Sequence, residues 1–183
     1  THPLAPHAAT PEAKKGGSVY LGILLASTIG LLLPAIIWTA TAANTVDFTA
    51  GGTRGATGMS RGAMAVLLAL FTFGIAKAAV MPLHRWLPAA MVAPTPVSAL
   101  LHAVAVVKTG VFSILKIVTY TFGIDSVATT GAATWILPIV AFTIIASSIV
   151  AFTKDNLKAR LAYSTISQLS YIVLAALLAT TLS

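Results

Sequence analysis

Five apolar stretches, each close to the length a helix needs to cross a bilayer, leave this sequence few folds to choose from. They run over 19–43, 62–82, 95–122, 134–152 and 161–182. A hydrocarbon core about 30 Å thick takes about 20 helical residues, and inside it every backbone N–H and C=O must be satisfied by the protein itself. The expected fold is therefore all-α, a polytopic transmembrane helix bundle of about five spans. Composition agrees: 57% of the 183 residues are hydrophobic and 8% are charged, against about 25% charged in soluble domains.

The polar segments between the stretches set the topology. Residues 1–18 (THPLAPHAATPEAKKGGS) form a loop, 44–61 are Gly- and Thr-rich, 83–94 make a short interfacial elbow with His84, Arg85 and Trp86, and 153–160 read TKDNLKAR. With alternating spans, the first loop, the elbow and the TKDNLKAR loop share one side, carrying Lys14, Lys15, Arg85, Lys154, Lys158 and Arg160. The opposite side carries Arg54 and Arg61. The excess predicts a cytoplasmic N-terminal loop. Eight of the eleven Lys and Arg residues thus lie in membrane-flanking loops, and the net charge of +7 follows chiefly from them. No basic patch interleaved with aromatics points to nucleic acid, and the expected surroundings are lipid. The chain has no cysteine, which excludes thiolate-held clusters and disulfides within it. Metal-ligand spacings, cofactor motifs and nucleophile–base sets are also missing, so no catalytic residue, metal or cofactor is expected here. The chain opens on Thr1 with no signal-peptide pattern and reads as an internal piece of a longer membrane protein.

Charges inside the spans carry the functional signal. Lys77 lies in the second span, and His102 and Lys108 lie in the third. A charge there costs roughly 3 kcal/mol or more on insertion scales and is kept for a purpose. Lysine suits proton carriage in a dry interior, because burial disfavours its charged form and a nearby carboxylate restores it. Histidine titrates near neutrality. Lys77, His102 and Lys108 are the expected proton relay. On a regular helix the six-residue step from His102 to Lys108 turns about 600°, leaving them about 120° apart. A shared path then needs bridging water or a helix broken or widened near Lys108-Thr109-Gly110. Pro94 and Pro96 are expected to fix the start of the third span, and Lys116, near its far end, to snorkel to the interface. His84 is expected to be interfacial. In the fifth span Ser164, Thr165, Ser167 and Gln168 serve either as hydrogen-bonding glue between helices or as a water-holding polar path. All four acids, Glu12, Asp47, Asp125 and Asp155, fall in loops, so a carboxylate partner for the lysines is expected from outside this chain.

The stretch KAAVMPLHRWLPAAMVAPTPVSALLHAVAVVKTGVF resembles the signature of the antiporter-like membrane proteins shared by respiratory complex I and the Mrp-type multisubunit Na+/H+ antiporters. NLKARLAYSTISQLSYI resembles a second signature of that family, and in detail the two are nearer to the D-like Mrp proteins than to those of complex I. The resemblance implies a full protein of about fourteen helices in two inverted repeats of five, with this chain matching the sixth to tenth. It places Lys77 at the family's seventh-helix lysine and puts His102 and Lys108 on a broken eighth helix. It also implies a glutamate upstream of Thr1 and a further Lys or Glu downstream of Ser183.

The function so implied is proton translocation by a membrane subunit of a multisubunit monovalent cation/H+ antiporter in a bacterial or archaeal plasma membrane, with protons and Na+ or K+ as the moving ions and other membrane subunits as partners. The alternative is a proton-pumping subunit of NADH–quinone oxidoreductase or a related membrane-bound hydrogenase. A non-transporting scaffold is the third reading.

Overall fold

The computed structural model describes residues 11–44, 47–48, 52, 59–91 and 106–182. Among them the regular structure is entirely helical.

The first span combines α1 (Pro11–Ser27), a π-helical segment Thr28–Leu32 and α2 (Leu33–Ala43). Together they make one apolar rod over Lys14–Ala43, starting earlier than the expected residue 19. The widening has a local cause. Pro34 has no N–H, and its ring crowds the carbonyl four residues upstream. The π turn gives that carbonyl room, and Leu33 N–H donates to Thr28 O, five residues back. The rod stops at Asn44, which adopts the left-handed conformation that ends many helices (φ 53).

The second span departs most from expectation. Helix α3 (Arg61–Gly74) opens with Ser60 as N-cap, whose Oγ accepts from Ala63 N–H at 3.4 Å. It ends at Gly74, not at Pro82. A tight 3-10 turn, Ala76–Ala78, follows, then a second, Leu83–Arg85, and the short α4 (Trp86–Ala90). Fourteen residues of α-helix reach only about 21 Å, short of a hydrocarbon core about 30 Å thick.

The third span is described from Val106. α5 (Val106–Lys116) is regular through Lys108, Thr109 and Gly110, so the break expected there is absent. The widening lies farther on, as a π-helical segment Ile117–Phe122. An 80° bend at Gly123 then leads into α6 (Ile124–Thr130). Pro94, Pro96 and His102 lie outside the described residues. Helix α7 (Leu137–Phe152) begins three residues later than expected, and α8 (Leu157–Leu182) begins four residues sooner, with Asn156 Oδ1 accepting from Lys158 N–H at 2.9 Å. These last two helices pack along each other.

The core gathers under the break in the second span. Trp86, Leu87, Met64, Leu67, Phe122, Ile136 and Ile166 are fully enclosed. Leu25, Ile29 and Ile37 of the first span, and Phe142, Ile145 and Ile149 of α7, face outward, as lipid-facing side chains do. Among the described residues two helices are long and apolar enough to cross a membrane alone, Lys14–Ala43 and Leu157–Leu178, and the bent pair from Val106 to Thr130 makes a third if its two arms count as one span.

Candidate functional site

Lys77 stands on the 3-10 turn that interrupts the second span, and the sequence around it explains the interruption. Pro82 disfavours helical backbone at Met81 and cannot donate to Ala78 O, which weakens any continuation of the helix arriving from Arg61. The last helical bond is Ile75 N–H to Phe71 O at 2.9 Å, after which Ala78 N–H donates to Ile75 O and Ala79 N–H to Ala76 O. Ala79 is left-handed (φ 57), a conformation costing an L residue roughly 1–2 kcal/mol. Tertiary contacts offset that cost. Trp86 Nε1–H donates to Ala76 O at 2.7 Å, and Met81 N–H donates to Thr143 Oγ1 of α7 at 3.3 Å.

Two glycines let neighbouring helices touch this backbone. A Cβ on Gly74 would stand 2.7 Å from Leu32 N, at the end of the first span's π segment. One on Gly110 would stand 2.6 Å from Lys77 C and 2.7 Å from Ala78 N. Gly110, a helix-breaking position by its sequence context, is instead the crossing point of α5 on the lysine turn.

Lys77 is solvent-accessible and lines a cavity of about 600 Å³ between the first span, the lysine turn and α5. Thr109, Ser113 and Lys116 line it from α5, and their spacing of four and three residues puts them on one helical face. Lys116 Nζ sits 4.2 Å above the Phe48 ring centroid, a cation–π contact. Asp47 lines the same cavity. Sequence reasoning misses this convergence. It makes Lys116 an interfacial anchor and Asp47 a loop acid, yet a carboxylate of this chain shares a cavity with two of its lysines. The Thr109–Ser113–Lys116 spacing is a signal the sequence does hold; the return of the 47–48 segment is not. Lys108 is exposed on α5, one residue off the cavity face, and does not line the cavity.

The polar cluster of the fifth span divides by face. Ser167 is buried and shares a hydrogen bond with Ser148 of α7 at 2.9 Å, whereas Ser164 and Gln168 are exposed. Thr165 Oγ1 donates to Leu161 O at 2.8 Å. Ser167 therefore joins two helices, and the four residues do not form one seam. In the elbow His84 is half-buried, its ring centroid 6.4 Å from that of Tyr163, and its Nδ1 is enclosed. Burial, then the neighbouring Arg85 charge, hold His84 below its ordinary value, against a smaller upward pull from the Pro82 backbone. Among the described residues no three His, Asp or Glu side chains gather as metal ligands would. The chemistry on offer is that of lysine, one carboxylate and hydroxyls around a cavity with room for water.

Comparison with known proteins agrees with this architecture. The family model described as "NADH:quinone oxidoreductase/Mrp antiporter, TM" matches residues 4–183. NAD(P)H-quinone oxidoreductase chain 5 of Synechocystis sp. is 43% identical over 120 residues, 64% of this chain and 17% of that protein. The subunit 5 protein of the Paulinella chromatophora chromatophore is 39% identical over 140 residues, 73% of this chain and 20% of its own length. A chain in the structure of the Mrp complex from Dietzia sp. superposes with a TM-score of 0.75 at 27% identity, covering 95% of this chain and 20% of that one. The chain thus spans about a fifth of the relatives it matches. The family model covers nearly the whole chain and the helical bundle superposes on a chain of one such complex: this chain is a member of the NADH:quinone oxidoreductase/Mrp antiporter transmembrane family.

Proposed function

We propose that this chain is the lysine-bearing segment of a proton-translocating subunit within a multisubunit membrane complex. The observation carrying the reading is Lys77, set on a break in a membrane span and facing a cavity that also holds Asp47 and Lys116. Lysine releases its proton when its surroundings become drier or lose a neighbouring anion, and takes one back when water or an anion returns. A break places the ammonium where water can reach it while the flanking backbone stays satisfied. Lys108, and His102 outside the described residues, remain the proposed onward carriers. The distribution of Lys and Arg supports a cytoplasmic N-terminal segment.

Two couplings fit. Exchange of H+ for Na+ or K+ is supported by likeness to the Dietzia Mrp complex. Coupling to quinone reduction is supported by the higher identity to proteins named as quinone oxidoreductase subunit 5. The test uses the full-length protein in its complex, reconstituted in vesicles with a pH-sensitive dye. Lys77→Ala is expected to cut proton flux by at least about tenfold. Lys77→Arg is expected to assemble and fail equally, because a guanidinium holds its charge. Normal flux in either variant would leave the scaffold reading instead. Dependence of wild-type flux on a Na+ or K+ gradient, or on a quinone and reductant, separates the two couplings.

A further inference from the structure

The two peptide groups flanking Lys77 are held from opposite sides. A peptide unit is planar, so the Ala76 carbonyl and the Lys77 N–H belong to one rigid plate. That plate carries the hydrogen bond from Trp86 Nε1–H, at 2.7 Å. The next plate, Lys77 C=O with Ala78 N–H, lies against Gly110, at the spot where a Cβ would come within 2.6–2.7 Å. Between them only the rotations at the Lys77 Cα remain, and these aim the side chain.

Trp86 is itself immobilised. It is 0% exposed, unlike a tryptophan of the membrane interface, whose polar end stays wet. Its ring meets Tyr20 of the first span edge-on, with centroids 5.7 Å apart at 67°. The indole is a donor only, and the broken turn offers it a carbonyl whose first lone pair already takes Ala79 N–H. A phenyl ring could not make that bond and, being smaller, would also leave part of the space empty.

We infer that Trp86 is a positioning residue for Lys77: its indole N–H, anchored by Tyr20 and opposed by Gly110, sets where the lysine stands in the cavity. This rests on Lys77 being the proton carrier, but its first test does not require transport. In the full-length complex, Lys77→Cys is labelled with a water-soluble maleimide, with Trp86 intact or replaced by Phe. The rate is expected to change by at least about threefold in Trp86→Phe. In the lysine-bearing protein, Trp86→Phe is expected to displace the pH of half-maximal proton flux, and not merely to lower the amplitude. Replacing Trp86 with benzothienylalanine, which keeps the ring's shape but puts sulfur where the N–H was, should reproduce the Phe result, and 5-fluorotryptophan, which keeps the N–H, should restore wild-type behaviour. Should the Phe variant fail to assemble, the benzothienylalanine protein decides. Labelling rate and pH profile both unchanged without the N–H would reduce Trp86 to packing and overturn the inference. A changed labelling rate, with transport indifferent to Lys77→Ala, would keep the positioning role and overturn the carrier reading.

Discussion

His84 sits between an arginine and a tyrosine with one ring nitrogen sealed off, and that placement has a measurable cost. Its folded-state proton affinity lies below the ordinary value of 6.5, burial being the larger cause and Arg85 the smaller. A depressed value means the unfolded chain takes the proton first as pH falls. His84 therefore contributes stability that is intact above about pH 6.5, declines below it, and stops declining once the folded state is protonated as well. The melting temperature of the purified complex is expected to fall between pH 7 and pH 5, and His84→Gln should flatten that dependence. An unchanged slope in the variant would assign the acid sensitivity elsewhere. At this scale the sequence is informative about residue type and poor about surroundings. Lys77 can be picked out because a charge in an apolar run is conspicuous. Lys116 and Asp47 cannot be joined to it, since their meeting depends on how residues 47–48 return to the end of α5.

Among the elements, the decisive contrast is between glycines that touch something and glycines that do not. Gly74 and Gly110 each meet neighbouring backbone closer than any Cβ tolerates, while Gly22, Gly30 and Gly62 have nothing within 4 Å. Gly74→Ala and Gly110→Ala are each expected to destabilise the protein by about 1–3 kcal/mol, the usual range for overpacking. Gly62→Ala, in an exposed helical position, should be neutral or stabilising by about 0.5–1 kcal/mol. Thermal unfolding of the assembled complex reads all three, and equal effects would remove the close-approach account of α5 on the lysine turn. The same contrast explains why α5 runs unbroken through Lys108-Thr109-Gly110. Lys108-Thr109-Gly110 offers a charge, a hydroxyl and a flexible residue, the local marks of an interrupted helix, yet that glycine serves an interhelical contact. In the second span Pro82 does signal an ending. The helix stops eight residues before it because Trp86 and Thr143 stabilise a non-helical backbone, and Ala79 gives no local hint of its left-handed turn.

For the whole molecule, apolar periodicity carries most of the architecture. The helical class, the span order and the family resemblance all follow from the residues printed in the chain, and the superposition on an Mrp complex chain bears out the fold. Span lengths are less legible: α3 and α7 are shorter than a membrane-crossing helix, and α3 gives way to tight 3-10 turns. The proposed orientation can be tested directly, since these 183 residues contain no cysteine to remove. In sealed right-side-out vesicles, Ser60→Cys is expected to react with an impermeant maleimide from outside, and Asp155→Cys only after permeabilisation. The opposite pattern would invert the topology.

The π segment at Thr28–Leu32 gives the first span one residue more than its height requires. In a crystal such an extra half-plane would be called a dislocation, and here Pro34, just beyond the segment, pins it in place. Ser27, Thr28 and Leu32, beside the defect, line the Lys77 cavity, and Leu32 is the residue Gly74 touches. The wall facing the lysine is therefore built at the defect, where the widened turn brings two hydroxyl residues and a leucine to one cavity.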